Sequence, residues 1–503
     1  MITKLQSVRW VWAIAAVSLA LHLYADRYYG YFIDELYNVS LARHLDWGFV
    51  DVAPLIAVIA RFELAVFGDS LQAIRLLPAI ASAVKIVLAA GIARELGGGR
   101  FAQALAALCC LTAPGFLALD HFLNVNSFEA LVWPGLAWLL IRIIRTGDAR
   151  LWLWFGVLAG VGLETKHSVL LFGFSLIAGL LLTPARKHLA SRWLLLGGAI
   201  AFVLFLPNLL WNIQHHFPFI ELQENIRRDG RNVSFNPLSF FGQEALAMLP
   251  ASLPVWLAGL WYLLFNREGR RYAAIGWAFV IASVLILAMN PRVYYLFPAF
   301  PMLFAAGGVA IERLRWRWVA PVLCVLLIAM GALLAPTLLP LLPPETYIRY
   351  ARATGLEQPR VENHQLGPLP QLFADQFGWD EMVAAVAQVY GSLPAEVRGR
   401  TAIFGQNYGQ AGAVNVLGRK YGLPEAISGH QNFFLWGPRG YTGESMIVMG
   451  DRRERLESLF AKVEKRARVA HPYAMPYEHI DIFYCQGLKT PLAELWPKLK
   501  SWH

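Results

Sequence analysis

Tyr31-Phe32-Ile33-Asp34-Glu35-Leu36-Tyr37 places two adjacent carboxylates just after the first long apolar segment of the chain. In a chain built to live in lipid, acids at a membrane boundary are costly unless they are solvated, paired or used, so this stretch is the first functional candidate. Neighbours on a helix point about 100° apart, so the two carboxylates do not form one pair on a common face. Asp34 is therefore read as the group facing a site, with Glu35 in support.

The rest of the composition says why lipid is the solvent. Of 503 residues, 57% are hydrophobic, 16% are charged and 18 are tryptophan, too many and too long apolar runs for one globular core. The formal net charge of +10 comes in small clusters between apolar segments, as in membrane loops, and no basic stripe interleaved with aromatics argues for nucleic acid. Four cysteines are too few for a disulfide framework, and Cys109, Cys110 and Cys324 fall within apolar runs. Lys4 and Arg9 precede the first apolar run without a small-residue cleavage site, which predicts an uncleaved first helix.

A helix needs roughly 20 apolar residues to cross the hydrocarbon layer. Segments near that length begin at Val8, Leu71, Phe101, Ser127, Leu151, Ser168, Trp193, Phe241, Tyr272, Tyr294 and Trp318, which predicts about eleven transmembrane helices. Arg94 and Arg100, Arg142 to Arg150, Arg186 to Arg192, Arg267 to Arg271 and Arg313 to Arg317 fall in alternate connections and mark the cytoplasmic side. The N-terminus is then cytoplasmic, and the tail from Pro343 lies in a periplasm or its equivalent.

The loop from Ala25 to Ser70 is too apolar to be freely solvated and is read as one or two helices lying in the interface plane. Beyond Pro343-Pro344 charges, glycines and prolines rise, so residues 1–342 are read as a membrane domain and 343–503 as a small soluble α/β domain. Thr401 to Phe404, Ser445 to Met449 and Ile480 to Tyr484 read as strands, and Gln410 to Tyr421 and Arg452 to Arg466 as helices.

The polar residues on the non-cytoplasmic side form the candidate site. Asp120-His121, with Asn124, Asn126 and Glu129, is a second polar cluster, although Asp120 reads equally well as a helix cap. A carboxylate and an imidazole can hold a divalent metal such as magnesium, manganese or zinc. The metal candidates are Asp34, Asp120 and His121, but their spacing matches no closed zinc motif. Glu164-Thr165-Lys166-His167 interrupts an apolar run; Lys166 there, and Arg292 at the end of another span, can neutralise a phosphate or simply terminate helices. Tyr294 and Tyr295 read as ligands or as an aromatic belt. Lys85 falls in the middle of a span, where it must snorkel or pair. Acids and cations beside lipid on one face suit a phosphorylated, lipid-linked substrate.

These stretches resemble the protein O-mannosyltransferase superfamily, glycosyltransferase family 39 with the aminoarabinose transferases of lipid A, on the GT-C fold. The resemblance rests on Tyr31 to Tyr37, Phe67-Gly68-Asp69-Ser70 with Arg75-Leu76-Leu77-Pro78, Leu119-Asp120-His121-Phe122 with Asn126-Ser127-Phe128-Glu129, Thr165-Lys166-His167-Ser168, Tyr294 to Pro301, and Tyr408-Gly409-Gln410-Ala411-Gly412-Ala413. It implies inverting transfer of a sugar from a polyprenyl-phosphate donor to a lipid, glycan or protein acceptor of the cell envelope, on the outer face of a bacterial plasma membrane. By position it implies Asp34 as base with Glu35 in support, Lys166, Arg292 and Tyr295 at the donor phosphate with Arg75 near the first loop, and Asp120, His121 and Glu129 as the second cluster. Val52-Ala53-Pro54-Leu55 departs from the His-Pro-Pro-Leu of many relatives. A transporter or flippase of a lipid-linked sugar is the alternative, and an idle scaffold a third reading.

Overall fold

The computed structural model describes residues 9–229, 236–289, 292–316, 318–356 and 365–502; Lys4 and Arg317 of the charge pattern lie outside them. Among the described residues six helices are long and apolar enough to cross a membrane: Leu71–Glu95, Val125–Thr146, Arg192–Gln214, Gly269–Ala288, Val293–Glu312 and Val319–Leu338. The pair Pro237–Ala247 and Pro250–Phe265, bent by 100°, makes a seventh if counted as one span. Arg9–Ala25 (α1), Arg100–Thr112, Leu151–Leu163 and Ser168–Leu181 are apolar but shorter, and coincide with the remaining expected segments. The chain is a polytopic helical membrane protein.

Packing sorts the helices by role. The window of Val293–Glu312 is 83% buried inside the protein, whereas that of Arg192–Gln214 is 11% buried despite its hydropathy, so the first is the bundle's centre and the second faces lipid. Without water to drive helix association, close backbone approach does the holding. Gly156 and Gly197 lie face to face where Leu151–Leu163 meets Arg192–Gln214, and a Cβ on either would strike the other helix's backbone.

The first loop contains two helices, Ile33–Arg43 (α2) and Leu55–Val66 (α3), as its apolar content predicts. Neither is detached. The Leu55 amide donates to the Glu164 carbonyl at 2.8 Å, and Asn208 Nδ2 donates to the Trp47 carbonyl at 2.7 Å, so the loop is pinned to the end of Leu151–Leu163 and to Arg192–Gln214.

The C-terminal region holds a four-stranded mixed sheet in the order β1-β2-β4-β3, from Thr401–Gly405 (β1), Ser445–Met449 (β2), Phe460–Arg468 (β3) and Asp481–Leu488 (β4). β1 and β2 are parallel and the other pairings antiparallel. The helix expected over Arg452 to Arg466 is corrected: it ends at Leu459, and the chain continues as β3. Helix-forming Lys, Glu, Arg and Ala are overruled there by pairing with β4, and the same charges suit an edge strand, where they discourage further pairing. The helix expected over Gln410 to Tyr421 runs from Tyr408 to Leu417 and tightens into a 3-10 turn, Gly418–Tyr421.

One packing relationship positions everything that follows. Leu36, Tyr37 and Leu41 of α2 share a buried core with Trp379, Val383, Ile403, Ala411 and Ile447 of the C-terminal region. The Tyr408–Leu417 helix presents its small residues to α2: a Cβ on Gly409 would strike Ile33, and one on Gly412 would lie 2.9 Å from the Leu36 backbone. The Tyr408 to Ala413 stretch is thus the face that seats α2.

Candidate active site

The two acids of α2 diverge as helix geometry requires. Glu35 turns inward and is fully buried. Its carboxylate accepts from Arg75 Nε at 2.8 Å and Arg75 Nη2 at 2.7 Å, and from the amides of Phe32 at 2.8 Å and Leu123 at 3.1 Å. Four donors saturate it, which makes Glu35 a structural anchor. Arg75 also donates to Asp26 Oδ1 at 3.1 Å, the Gly30 carbonyl at 2.9 Å and Gln376 Oε1 at 3.3 Å. One guanidinium therefore ties the end of α1, the first loop and the C-terminal region together.

Asp34 points the other way and is half-buried. Tyr408 donates its hydroxyl to Asp34 Oδ1 at 2.7 Å. The Tyr408 ring stacks on His430 with centroids 4.9 Å apart, and Tyr37 packs against it at 4.8 Å. Two further acids lie nearby. Tyr37 donates to Asp51 Oδ1 at 2.8 Å, and Tyr477 to Asp375 Oδ1 at 2.6 Å. Burial pushes Asp51 up to about 7 and Asp375 up to about 8; the tyrosine bonds oppose this, and the charge of Asp34 adds to it in both. A phenol sets the orientation of Asp34, and Asp34 and Asp51 are half-buried whereas Asp375 is buried. Sequence reasoning singled out neither Asp51 nor Asp375. Tyr408 was visible only as the first residue of a resembling motif.

Asp120 and His121, adjacent in sequence, meet different cations. Asp120 forms a buried ion pair with Lys85, whose ammonium also lies 3.7 Å from the centre of the Phe116 ring. Lys85 therefore pairs within the bundle. Asp120 is also the C-cap of Pro114–Leu119, its amide donating to the Phe116 carbonyl at 2.9 Å, and the next helix, Val125–Thr146, is capped at its N-terminus by Asn124, whose side chain accepts from the amides of Asn126 and Ser127. His121 Nε2 lies 3.1 Å from Arg75 Nη1. Because a guanidinium can only donate, that nitrogen is the acceptor and the ring is neutral.

Lys166 sits in the break between Leu151–Leu163 and Ser168–Leu181, where its ammonium donates to Glu129 Oε2 at 2.7 Å and Asn126 Oδ1 at 2.8 Å. It also faces the rings of Tyr295 at 4.9 Å and Tyr294 at 5.4 Å. Arg292 Nη1 donates to the Tyr294 hydroxyl at 3.4 Å. Glu129 further accepts from the Ser168 hydroxyl. The structure thus gathers Glu129, Lys166, Arg292, Tyr294 and Tyr295, while Arg75 stands apart with Glu35 and His121. Asp120, Asn126, Glu129, Tyr294 and Phe297 line a crevice of about 10 Å³, room for a single water.

The three metal candidates do not form a ligand set. Asp34 faces Tyr408, Asp120 faces Lys85 and His121 faces Arg75; a divalent ion at either of the latter would sit against a buried cation. Among the described residues no group of three or more His, Cys, Asp or Glu is placed to hold a metal.

Residues 51–211 match the family model described as dolichyl-phosphate-mannose-protein mannosyltransferase. The lipid A galacturonosyltransferase RgtD of Rhizobium johnstonii is 26% identical over 303 residues, which are 57% of this chain and 61% of that protein. The chain thus spans less than two thirds of the length of this curated relative. Among solved structures, ArnT from Cupriavidus metallidurans bound to undecaprenyl phosphate superposes with a TM-score of 0.63 at 15% identity, covering 95% of this chain and 98% of that one. An oligosaccharyltransferase from Archaeoglobus fulgidus superposes at 0.50 with 12% identity, covering 83% and 64%. The resemblance to the mannosyltransferase and aminoarabinose transferase superfamily is borne out, and the fold is that of ArnT.

Proposed function

We propose that this chain is a membrane glycosyltransferase that moves a sugar from a polyprenyl-phosphate donor to an envelope acceptor on the non-cytoplasmic face. The observation that carries the reading is Asp34: a half-buried carboxylate held by Tyr408 on a helix anchored in the bundle through Glu35 and Arg75. Asp34 takes the proton from an acceptor hydroxyl as its oxygen attacks the anomeric carbon. The bond from that carbon to the phosphate oxygen breaks, and its electron pair leaves with the phosphate. Lys166 and Arg292, beside Tyr295, neutralise the departing charge. Attack opposite the leaving phosphate inverts the anomeric centre. Glu129 and Asn126 hold the Lys166 ammonium in place, and no step runs through a metal.

In this reading the four shorter apolar helices also cross the membrane, giving eleven spans, with the arginine-rich connections cytoplasmic and the C-terminal region periplasmic. The chain divides near residue 342, with α2 serving both parts. The likeness to a lipid A transferase supports a lipid acceptor.

Replacing Asp34 by Asn and assaying transfer from a polyprenyl-phosphate sugar in nanodiscs tests the reading. The variant is expected to fold and to lose turnover; full turnover removes Asp34 from the role of base. Sugar crossing the bilayer of vesicles with its linkage unchanged would favour a transporter instead.

A further inference from the structure

A second cleft lies beside α2 and α3, and neither Lys166 nor Arg292 lines it. It has a volume of about 360 Å³ and is lined by Arg43, Arg61 and Arg419, with Asp69 the one acid among the described lining residues. The three arginines come from the C-terminal end of α2, from α3, and from the turn after the Tyr408–Leu417 helix, so membrane-side and C-terminal parts both build it. Arg43 is half-buried and donates to the Asn415 carbonyl. Arg61 and Arg419 are exposed, and none of the three has a carboxylate ion-pair partner among the described residues. Burial and, after it, the charge of Arg419 pull the Arg43 guanidinium below its usual range, with Arg61 adding to the same effect.

Three converging guanidiniums with one acid leave an excess of positive charge in a concave space. Fork-shaped donors of this kind match phosphate oxygens. Apolar side chains flank the cleft: Val58, Phe62, Val66 and Phe67 on and after α3 are all exposed. A helix with bare apolar residues beside arginines is one lying in the membrane interface, so the anion arrives at headgroup depth.

We propose that this cleft binds a phosphate group carried on a lipid headgroup, as a site separate from the donor phosphate. The binding site stands independently of the transferase reading.

The test uses the full chain in phosphatidylcholine nanodiscs, without donor sugar, and measures binding of phosphorylated lipid A, its dephosphorylated form, inorganic phosphate and polyprenyl phosphate. Arg61→Ala and Arg419→Ala are each expected to weaken binding of phosphorylated lipid A about tenfold, the usual size for a lost hydrogen bond to a charged group, and to leave polyprenyl phosphate at wild-type affinity. Inorganic phosphate bound with the same dependence on both arginines identifies free phosphate as the source; binding of the lipid alone identifies the headgroup. Unchanged binding in both variants, or equal binding of the dephosphorylated lipid, overturns the proposal. Arginine-dependent binding in a protein that transfers no sugar would retire the transferase reading and leave this site standing.

Discussion

The hydroxyl of Tyr408 donates to Oδ1 of Asp34 at 2.7 Å, joining two residues 374 positions apart in the chain. The bond fixes the orientation of the Asp34 carboxylate. Tyr408→Phe is expected to lower kcat by about tenfold, the equivalent of a charge-assisted hydrogen bond. Transfer rates measured alongside the thermal midpoint check this; a loss of rate matched by an equal loss of stability would mean that the bond only holds the fold.

Arg75 and Glu35 form a buried bidentate pair with Asp26 alongside. Removing one partner leaves a buried charge uncompensated, a loss of roughly 3–5 kcal/mol. Arg75→Met should therefore lower the thermal midpoint in detergent sharply, and the double variant Arg75→Met with Glu35→Gln should be less damaged than Arg75→Met alone. Thermal scans of the two proteins decide it.

Gly412 admits no side chain without moving α2, because its Cβ would lie 2.9 Å from the Leu36 backbone. Gly412→Val is expected to cost about 1–3 kcal/mol by overpacking and to displace Asp34 from Tyr408. Turnover should fall further than the stability loss explains, and limited proteolysis should cut between the two regions sooner than in the wild type.

Asp375 titrates at about 8 in the folded chain, mainly through burial, with Glu478 and Asp34 adding to the shift. A folded pKa above the unfolded one means that the native state holds the extra proton between them. The stability Asp375 contributes is then full below the unfolded carboxylate range and is lost as pH rises toward about 8. Asp375→Asn should flatten the fall in thermal midpoint over that window and make the variant relatively more stable at its alkaline end. An unchanged pH slope would show that other groups set it.

Much of the candidate site was legible before any fold was known. The apolar runs announced the spans, since lipid demands length and composition that a local window can read. The polar interruptions at Asp34, Asp120, Lys166 and Arg292 stood out because charge is costly at membrane depth. Divergence of Asp34 from Glu35 followed from helix geometry alone. The β3 strand was missed for the opposite reason: its residues favour a helix locally, and only the ladder with β4 makes it extended.

What the sequence by itself determined is therefore a membrane chain with helices in its first loop, a mixed C-terminal unit and a short roster of polar groups. Tertiary structure alone decided their pairing: Asp120 with Lys85, His121 with Arg75, Glu129 with Lys166, and Asp34 with Tyr408. The physical reason is range. Periodicity and hydropathy act over one turn or one span, whereas an ion pair or a hydrogen bond depends on which surfaces the packing of distant helices brings within about 3 Å.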